Sequence, residues 1–318
     1  MGSFNPDLKN STEETRKQVL ITIDVEDWFQ VENFKNVIPY SSWQTFELRV
    51  EENTHRLLDL FDSTPLTHSP KTSSSGGKSY PPSVRATFFV LGWLAERLPR
   101  LVREIHERGH EVASHGYSHV LCSQYTSKQL ARDLDISKKL LEDIIGAPVN
   151  GYRAPSFSAN EDLLRIVEAC GFRYDSSCNS FRANKRYGEV DLSRFPKLGI
   201  AHRIGKNLYE IPISNLRVLG FTMPFGGGAY FRLSPLPVFL RAVSSIVETQ
   251  GAYVFYLHPW EIDPRQPRAH QASLLAKFRH YTNLHSTYQK LSQFLNHLNA
   301  LNFVSCSQYV AENAQGAA

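Results

Sequence analysis

Four groups of residues in this chain carry side chains able to do chemistry. The segment Ser114-His115-Gly116-Tyr117-Ser118-His119 places two imidazoles four positions apart, directly after an apolar run. On one helical turn, side chains at i and i+4 share a face, so His115 and His119 could reach one metal ion. An isolated HxxxH is more often a pair of packed or surface histidines, so the motif needs company. A second group supplies it. Asp24, Glu26 and Asp27 follow the apolar, β-branched run Val19–Ile23, whose one hydroxyl is Thr22. Asp24 and Glu26 stand two residues apart, on one side of a strand. Buried carboxylates at that position would require a cation or hydrogen-bond donors.

The third group is Arg153, in the otherwise apolar, proline-stiffened segment Tyr152-Arg153-Ala154-Pro155-Ser156-Phe157, where a guanidinium could clamp a carboxylate. The fourth is His258, which ends a late apolar run in Tyr256-Leu257-His258-Pro259-Trp260-Glu261. An imidazole there suits proton donation near neutral pH. Asp175, in Tyr174-Asp175-Ser176-Ser177, is a candidate to hold and tune that imidazole. Each feature alone has a bland explanation as a turn, a solvated end or a packed side chain. Together they comprise ligands, a base, an orienting cation and an acid, the parts needed for metal-assisted hydrolysis.

The elements that must position these groups are legible in outline. Val19–Val25, Ala86–Gly92 and Ala252–His258 are short, apolar, buried-type strands. Residues 44–62 predict an amphipathic helix. Further helices are expected through LPRLVREIHERG (closing at Gly109), through TSKQLARDLDISKKLLEDIIG (stopping at Gly146), and after Ser234-Pro235 as far as Gly251. Ser158 and Glu161 read as a capping box for EDLLRIVEACG. A last helix is expected around Thr287–Leu298, ahead of FVSCS. Alternating strands and helices predict a parallel α/β architecture, a barrel-like domain over residues 18–312 with its reactive groups at the strand C-terminal ends. Residues 1–17 read as a disordered lead-in, and the Ser/Pro/Gly-rich stretch 64–83 as a surface insertion.

Bulk properties narrow the class. The 318 residues are 42% hydrophobic and 21% charged, an ordinary globular balance. A net charge of +4 without any long basic run gives no reason to expect nucleic acid as a partner. The four cysteines, Cys122, Cys170, Cys178 and Cys306, form no CxxC pair and read as core thiols in a reducing compartment. No stretch reaches the roughly 18 apolar residues of a membrane span, and the polar start lacks an apolar leader core. A cytoplasmic location is therefore expected, with peripheral contact at the inner membrane face compatible with it.

In order and spacing these residues resemble the NodB-homology polysaccharide deacetylases, carbohydrate esterase family 4. The resemblance rests on IDVEDWFQV, RATFFVLGWLAE, GHEVASHGYSH, YRAPSFS, YDSS, GGGAYFR and HPWEIDP, and covers roughly residues 18–263. The similar branch is that of exopolysaccharide loci, some of them linked to exosortase systems. The resemblance implies a distorted (β/α) barrel of about seven strands and a divalent metal, Zn2+ foremost, with Co2+, Mn2+ or Fe2+ as alternatives. It implies that His115, His119 and one acid hold the metal. Asp24 would be the base, Arg153 its orienting partner, and Asp175 the residue tuning His258, the acid. The N–H of Ser156 would help bind the oxyanion. In place of the family's adjacent Asp-Asp stands Asp24-Val25-Glu26-Asp27; strand periodicity favours Glu26 as the third ligand, with Asp27 as the alternative. Ser156 replaces a common aromatic, and Tyr256 replaces a leucine of the acetyl-methyl pocket. Trp28, Phe29 and Trp260 are candidates to stack on sugar rings. The implied activity is removal of acetyl from N-acetylated amino sugars of a polysaccharide or a lipid-linked oligosaccharide. The rivals are an allantoinase-like amidohydrolase acting on a small amide, and a glycan-binding relative without activity.

Overall fold

The apolar strand runs assemble into one curved sheet. The computed structural model describes residues 17–67, 83–181 and 187–314. The strands are β1 (Gln18–Val25), β2 (Ala86–Val90), β3 (Glu111–Ser114), β4 (Gly151–Tyr152), β5 (Tyr174–Asp175), β6 (Lys197–Leu198), β7 (Ala201–Arg203), β8 (Tyr209–Glu210), β9 (Leu216–Val218), β10 (Phe221–Met223), β11 (Ala252–Leu257) and β12 (Asn302–Phe303). The sheet order is β11-β1-β2-β3-β4-β5-β8-β7-β6, with β12 beside the start of β1. The path from β11 to β8 is parallel throughout, and in this sheet only the pairings β8–β7 and β7–β6 are antiparallel. The expected α/β barrel of about seven strands therefore holds. Its gap is bridged by chain that is not regular strand: Ser214 Oγ accepts from Val254 N at 2.9 Å, and Tyr256 N donates to Gly226 O at 2.8 Å.

Helices cover the outer face: α1 (Val50–Ser63), α2 (Gly92–Arg97), α3 (Pro99–Glu107), α4 (Ser127–Ile145), α5 (Glu161–Ala169), α6 (Gly228–Leu233), α7 (Leu236–Gln250), α8 (Leu274–Tyr281), α9 (Leu284–His297) and α10 (Cys306–Ala314). Strand β1 is buried on both faces from Val19 onward, which is why its sequence shows no polar alternation. Ile21 and Ile23 point into the larger apolar cluster, toward Leu57, Phe88 and Phe255, while Leu20 joins the smaller cluster with Phe89 and Val254. All four cysteines are free.

Two expected boundaries shift, each for a local reason. The helix expected from residue 44 begins at Val50, because Asp27 accepts the Arg49 and Val50 backbone N–H groups at 2.7 and 2.9 Å and so fixes its first turn. Residues 40–45 instead form a separate short turn, which drives Trp43 into an aromatic cluster with Phe29 and Trp93. The cap of α5 is Asn160, whose side chain accepts from Leu163 N at 2.7 Å. Ser158 is engaged elsewhere, donating to Pro155 O and accepting from Cys122 N. Of the expected insertion 64–83, residues 68–82 lie outside the described residues, as does nearly all of the expected lead-in.

Packing also fixes one histidine in its neutral form. His110 lies between Phe61 and Phe88, and its Nδ1 accepts from Ala86 N at 3.3 Å. Burial, with Arg85 and Arg108 nearby, pushes its pKa down from 6.5 to about 3. The unfolded chain protonates this ring near 6.5 and the folded chain does not, so its contribution to stability is complete above pH 6.5 and fades as pH falls toward 3. Urea midpoints measured from pH 7 to pH 4 should fall less steeply for His110→Asn than for wild type. Parallel slopes would show that this ring does not set the acid sensitivity.

Candidate metal centre

The reactive groups collect at the C-terminal ends of the parallel strands, where α/β barrels carry their sites. Asp24 is the penultimate residue of β1, and Glu26 follows its end. His115 follows β3, Arg153 follows β4 and His258 follows β11. Backbone bonds extend the register past the strands: His115 N donates to Val90 O and Arg153 N to Ser114 O, both at 2.9 Å.

Glu26, His115 and His119 converge. Both imidazole Nε2 atoms face the same oxygen, Glu26 Oε1, at 3.0 Å from His115 and 2.9 Å from His119. One ligand atom from each residue lies within 4.8 Å of the others, and all three side chains are buried. His115 Nδ1 lies 2.8 Å from the Arg153 carbonyl, which can only accept, so that nitrogen carries the proton. A neutral His115 then turns a bare Nε2 toward a carboxylate oxygen, acceptor against acceptor. A cation resolves that conflict, and an imidazole bonded to a carbonyl through its other nitrogen is the usual metal-ligating arrangement. The residues thus fit a divalent ion with bonds of about 2.0–2.2 Å. Burial raises the Glu26 pKa, but the neighbouring His119, His258 and His115 outweigh it and hold the carboxyl well below its ordinary range.

The two histidines do not meet on a helix, as the i, i+4 spacing had implied. Residues 115–121 are loop, and the approach comes from left-handed backbone at Gly116 (φ 72°) and His119 (φ 53°). Left-handed backbone at a non-glycine residue costs about 1–3 kcal/mol and persists only where the surroundings impose it. Here Ser114 Oγ accepts from Gly116 N and Asp133 accepts from Tyr117 N.

Asp24 and Arg153 form a fully buried pair. Arg153 Nη1 donates to Asp24 Oδ1 and to Thr22 Oγ1, both at 2.7 Å. Its Nε and Nη2 donate to the backbone oxygen and hydroxyl of Ser176, and Phe89 lies 4.1 Å beneath the guanidinium. One carboxylate oxygen of Asp24 is thereby occupied. The other, Oδ2, faces His258 Nε2 at 3.9 Å. His258 Nε2 also lies 3.8 Å from Glu26 Oε1, so this imidazole edge looks into the centre from β11, the strand beside β1. Burial lowers the His258 pKa, but Glu26, Glu261 and Asp24 more than offset it and carry it to about 9.

Several expected contacts are not made. Asp175 does not hold His258: its carboxylate accepts from Ser177 N and Oγ and faces Glu210, and burial pushes both carboxyls up. Glu261 takes that place, its Oε1 lying 2.8 Å from His258 Nδ1. Asp27 stands apart from the cluster of Glu26, His115 and His119, its carboxylate accepting from the N–H groups of Trp28, Arg49 and Val50. Trp260 presents no face to a sugar: His258 stacks on one part of it at 5.3 Å and His280 at 4.1 Å. Trp28 and Phe29 are core residues packed on Phe46.

Tyr256 is nearly buried, edge-on to Phe157 at 4.9 Å. It requires the glycines opposite: a Cβ on Gly227 (φ 132°) would come within 2.0 Å of Tyr256 O, and one on Gly228 within 2.7 Å of its ring. Ser156 and Phe157 are consecutive left-handed residues, with φ of 52° and 55°.

Residues 82–174 match the family model for polysaccharide deacetylase, and residues 176–311 match a domain of unknown function, DUF3473. Residues 82–174 are thus similar to the polysaccharide deacetylases. A peptidoglycan deacetylase of Helicobacter pylori is 35% identical over 137 residues, 40% of this chain and 47% of that protein. A peptidoglycan deacetylase-like protein of Gibberella zeae is 33% identical over 103 residues, 32% of this chain and 30% of that protein. The chain thus spans less than half of either relative. A crystal structure from Mycobacterium smegmatis, provisionally named a polysaccharide deacetylase, superposes with a TM-score of 0.58 at 17% identity, over 96% of this chain and 93% of that one. That likeness shows the fold. The deacetylase domain model ends at the start of the YDSS segment, so His258 and Glu261 fall within the second matched region.

The two carboxylates in dispute are separable by experiment. Glu26→Gln should lose bound divalent metal on dialysis. Asp27→Ala should keep it, while losing about 1–2 kcal/mol of stability through its broken helix cap. Metal loss in Asp27→Ala at an intact fold would reverse the assignment.

Proposed function

We propose that this protein is a metal-dependent deacetylase that hydrolyses the N-acetyl group of amino sugars in a polysaccharide or its lipid-linked precursor, releasing acetate. The observation that carries the reading is the meeting of a Glu26-His115-His119 triad with an arginine-held Asp24 and an inward-facing His258. The names of the Helicobacter and Gibberella relatives support an N-acetylated glycan as substrate.

A divalent ion held by Glu26, His115 and His119 supplies Lewis acidity toward the acetyl carbonyl and toward water. Two imidazoles and a carboxylate favour Zn2+ as that ion. Asp24 accepts the proton of the attacking water on Oδ2, while Arg153 keeps Oδ1 occupied and the carboxylate oriented. His258 donates from Nε2 to the departing sugar nitrogen. The Ser156 N–H stabilises the charge growing on the acetyl oxygen, and Tyr256 lines the space for the acetyl methyl.

The lipid-linked form of the substrate draws support from hairpin β9–β10. Its register puts Leu216, Val218, Phe221 and Met223 on one face, and Phe221 and the tip residue Leu219 are 73% and 93% exposed. An apolar face of this kind suits a membrane surface, and among the described residues no helix is long and apolar enough to cross one. This reading places the enzyme at the cytoplasmic face of the inner membrane, within an exopolysaccharide or exosortase-linked system, as the motifs IDVEDWFQV and HPWEIDP imply.

Acetate release from N-acetylated chito-oligosaccharides should cease on chelation and return with Zn2+. Asp24→Asn should lose about 10²–10⁴ in rate with metal content unchanged. Turnover of small cyclic ureides without acetate release from any glycan would contradict the proposal.

A further inference from the structure

Glu261 lies wholly buried at the foot of His258. Its Oε1 accepts from both the backbone N–H (3.1 Å) and Nδ1 (2.8 Å) of that histidine. Its Oε2 accepts from Arg232 Nε at 2.6 Å. Arg232, itself 2% exposed, spends its remaining donors on the backbone oxygens of Arg279, His280 and Thr282 at the C-terminal end of α8. Trp260 covers one face of the His258 ring. The imidazole is thus held at its Nδ1 edge and by one face, and only the Nε2 edge looks toward Asp24 and Glu26.

From this geometry we infer that Glu261, clamped by Arg232, is the positioning residue that holds His258 through an Nδ1–H hydrogen bond and aims its Nε2 edge, the proton-donating one, at the substrate nitrogen. The inference rests on the proposed deacetylation for the role of Nε2, but not for the Nδ1–H hydrogen bond itself. A carboxylate accepts on both oxygens, so it can face the Arg232 donor and the His258 donors at once. Arg232 has no acceptor to offer and stays charged. It therefore fixes which atoms Glu261 must present. A buried ion pair is weak evidence for stability, because well-packed apolar side chains often serve as well. The bifurcated acceptance by Oε1 is what an apolar replacement would lose.

The same logic dictates the test. In Glu261→Gln, the amide oxygen must face Arg232 Nε–H, which turns the amide NH2 toward His258 Nδ1 and forces the proton to Nε2. Adding Arg232→Met removes that demand and lets the amide oxygen turn back. The probes are Zn2+-loaded protein with 15N-labelled histidine, His258 being assigned by its absence in His258→Gln, and acetate release from chito-oligosaccharide. In wild type, His258 should show a hydrogen-bonded Nδ1–H. Glu261→Gln should lose that signal and about 10²–10⁴ in kcat, with KM within about threefold and bound zinc unchanged. The double variant should regain the signal and at least about tenfold of the lost kcat. Persistence of Nδ1–H in Glu261→Gln, or kcat within about threefold of wild type, overturns the inference while leaving the deacetylase reading intact. If Glu261→Gln does not fold, the wild-type spectrum decides: a neutral His258 protonated on Nε2 refutes the inference. Absence of acetate release from wild type, with the Nδ1–H signal as described, would fault the proposed function alone.

Discussion

The structure depends on placing unlike charges and lone pairs in a small volume from which water is excluded. Asp24 and Glu26 are 2% and 3% exposed at the end of a strand buried on both faces. Two such carboxylates cannot remain ionised there without compensation. Arg153 compensates one from within the chain. The other has only imidazoles around it, one of them committed through Nδ1 to a backbone carbonyl. A cation would complete that set. Strand spacing, loop strain and second-layer hydrogen bonds all serve to keep these groups together.

The fold supplies this by sharing work between elements distant in sequence. Thr22 donates to Phe255 O while accepting from Arg153, so β11, β1 and the segment after β4 are tied at one hydroxyl. Ser176 holds two donors of Arg153, and Ser177 accepts from Ala154 N, which locks the YDSS segment to the arginine loop. At the next joint Asp175 faces Glu210, which accepts from Cys178 N. Asp175 thus contributes to the centre through the backbone that carries Ser176, rather than by touching His258.

Local pattern made the strand ends legible, and long-range contact decided what it could not. Period-2 geometry placed Asp24 and Glu26 on one side of β1, and the separation of Glu26 from Asp27 followed the same rule. HxxxH brought the right histidines by the wrong geometry, since the left-handed backbone at His119 has no signature in a histidine. Trp260 was misread because its covering partner, His280, lies twenty residues away. Arg232 and Glu261 escaped notice for the same reason: nothing local marks a glutamate three residues after a histidine as half of an ion pair with a helix twenty-nine residues upstream. The cap of α5 turned on which of two polar residues was already engaged, and Ser158 was.

The central claim is that one divalent cation sits between Glu26, His115 and His119, with His258 beside it but not bound to it. X-ray absorption at the zinc edge of the loaded protein tests this directly, because outer-shell scattering counts imidazoles. The account predicts two imidazoles and oxygen ligands at about 2.0–2.2 Å. A third imidazole would make His258 a ligand, and fewer than two would break the triad; either result would contradict the site described.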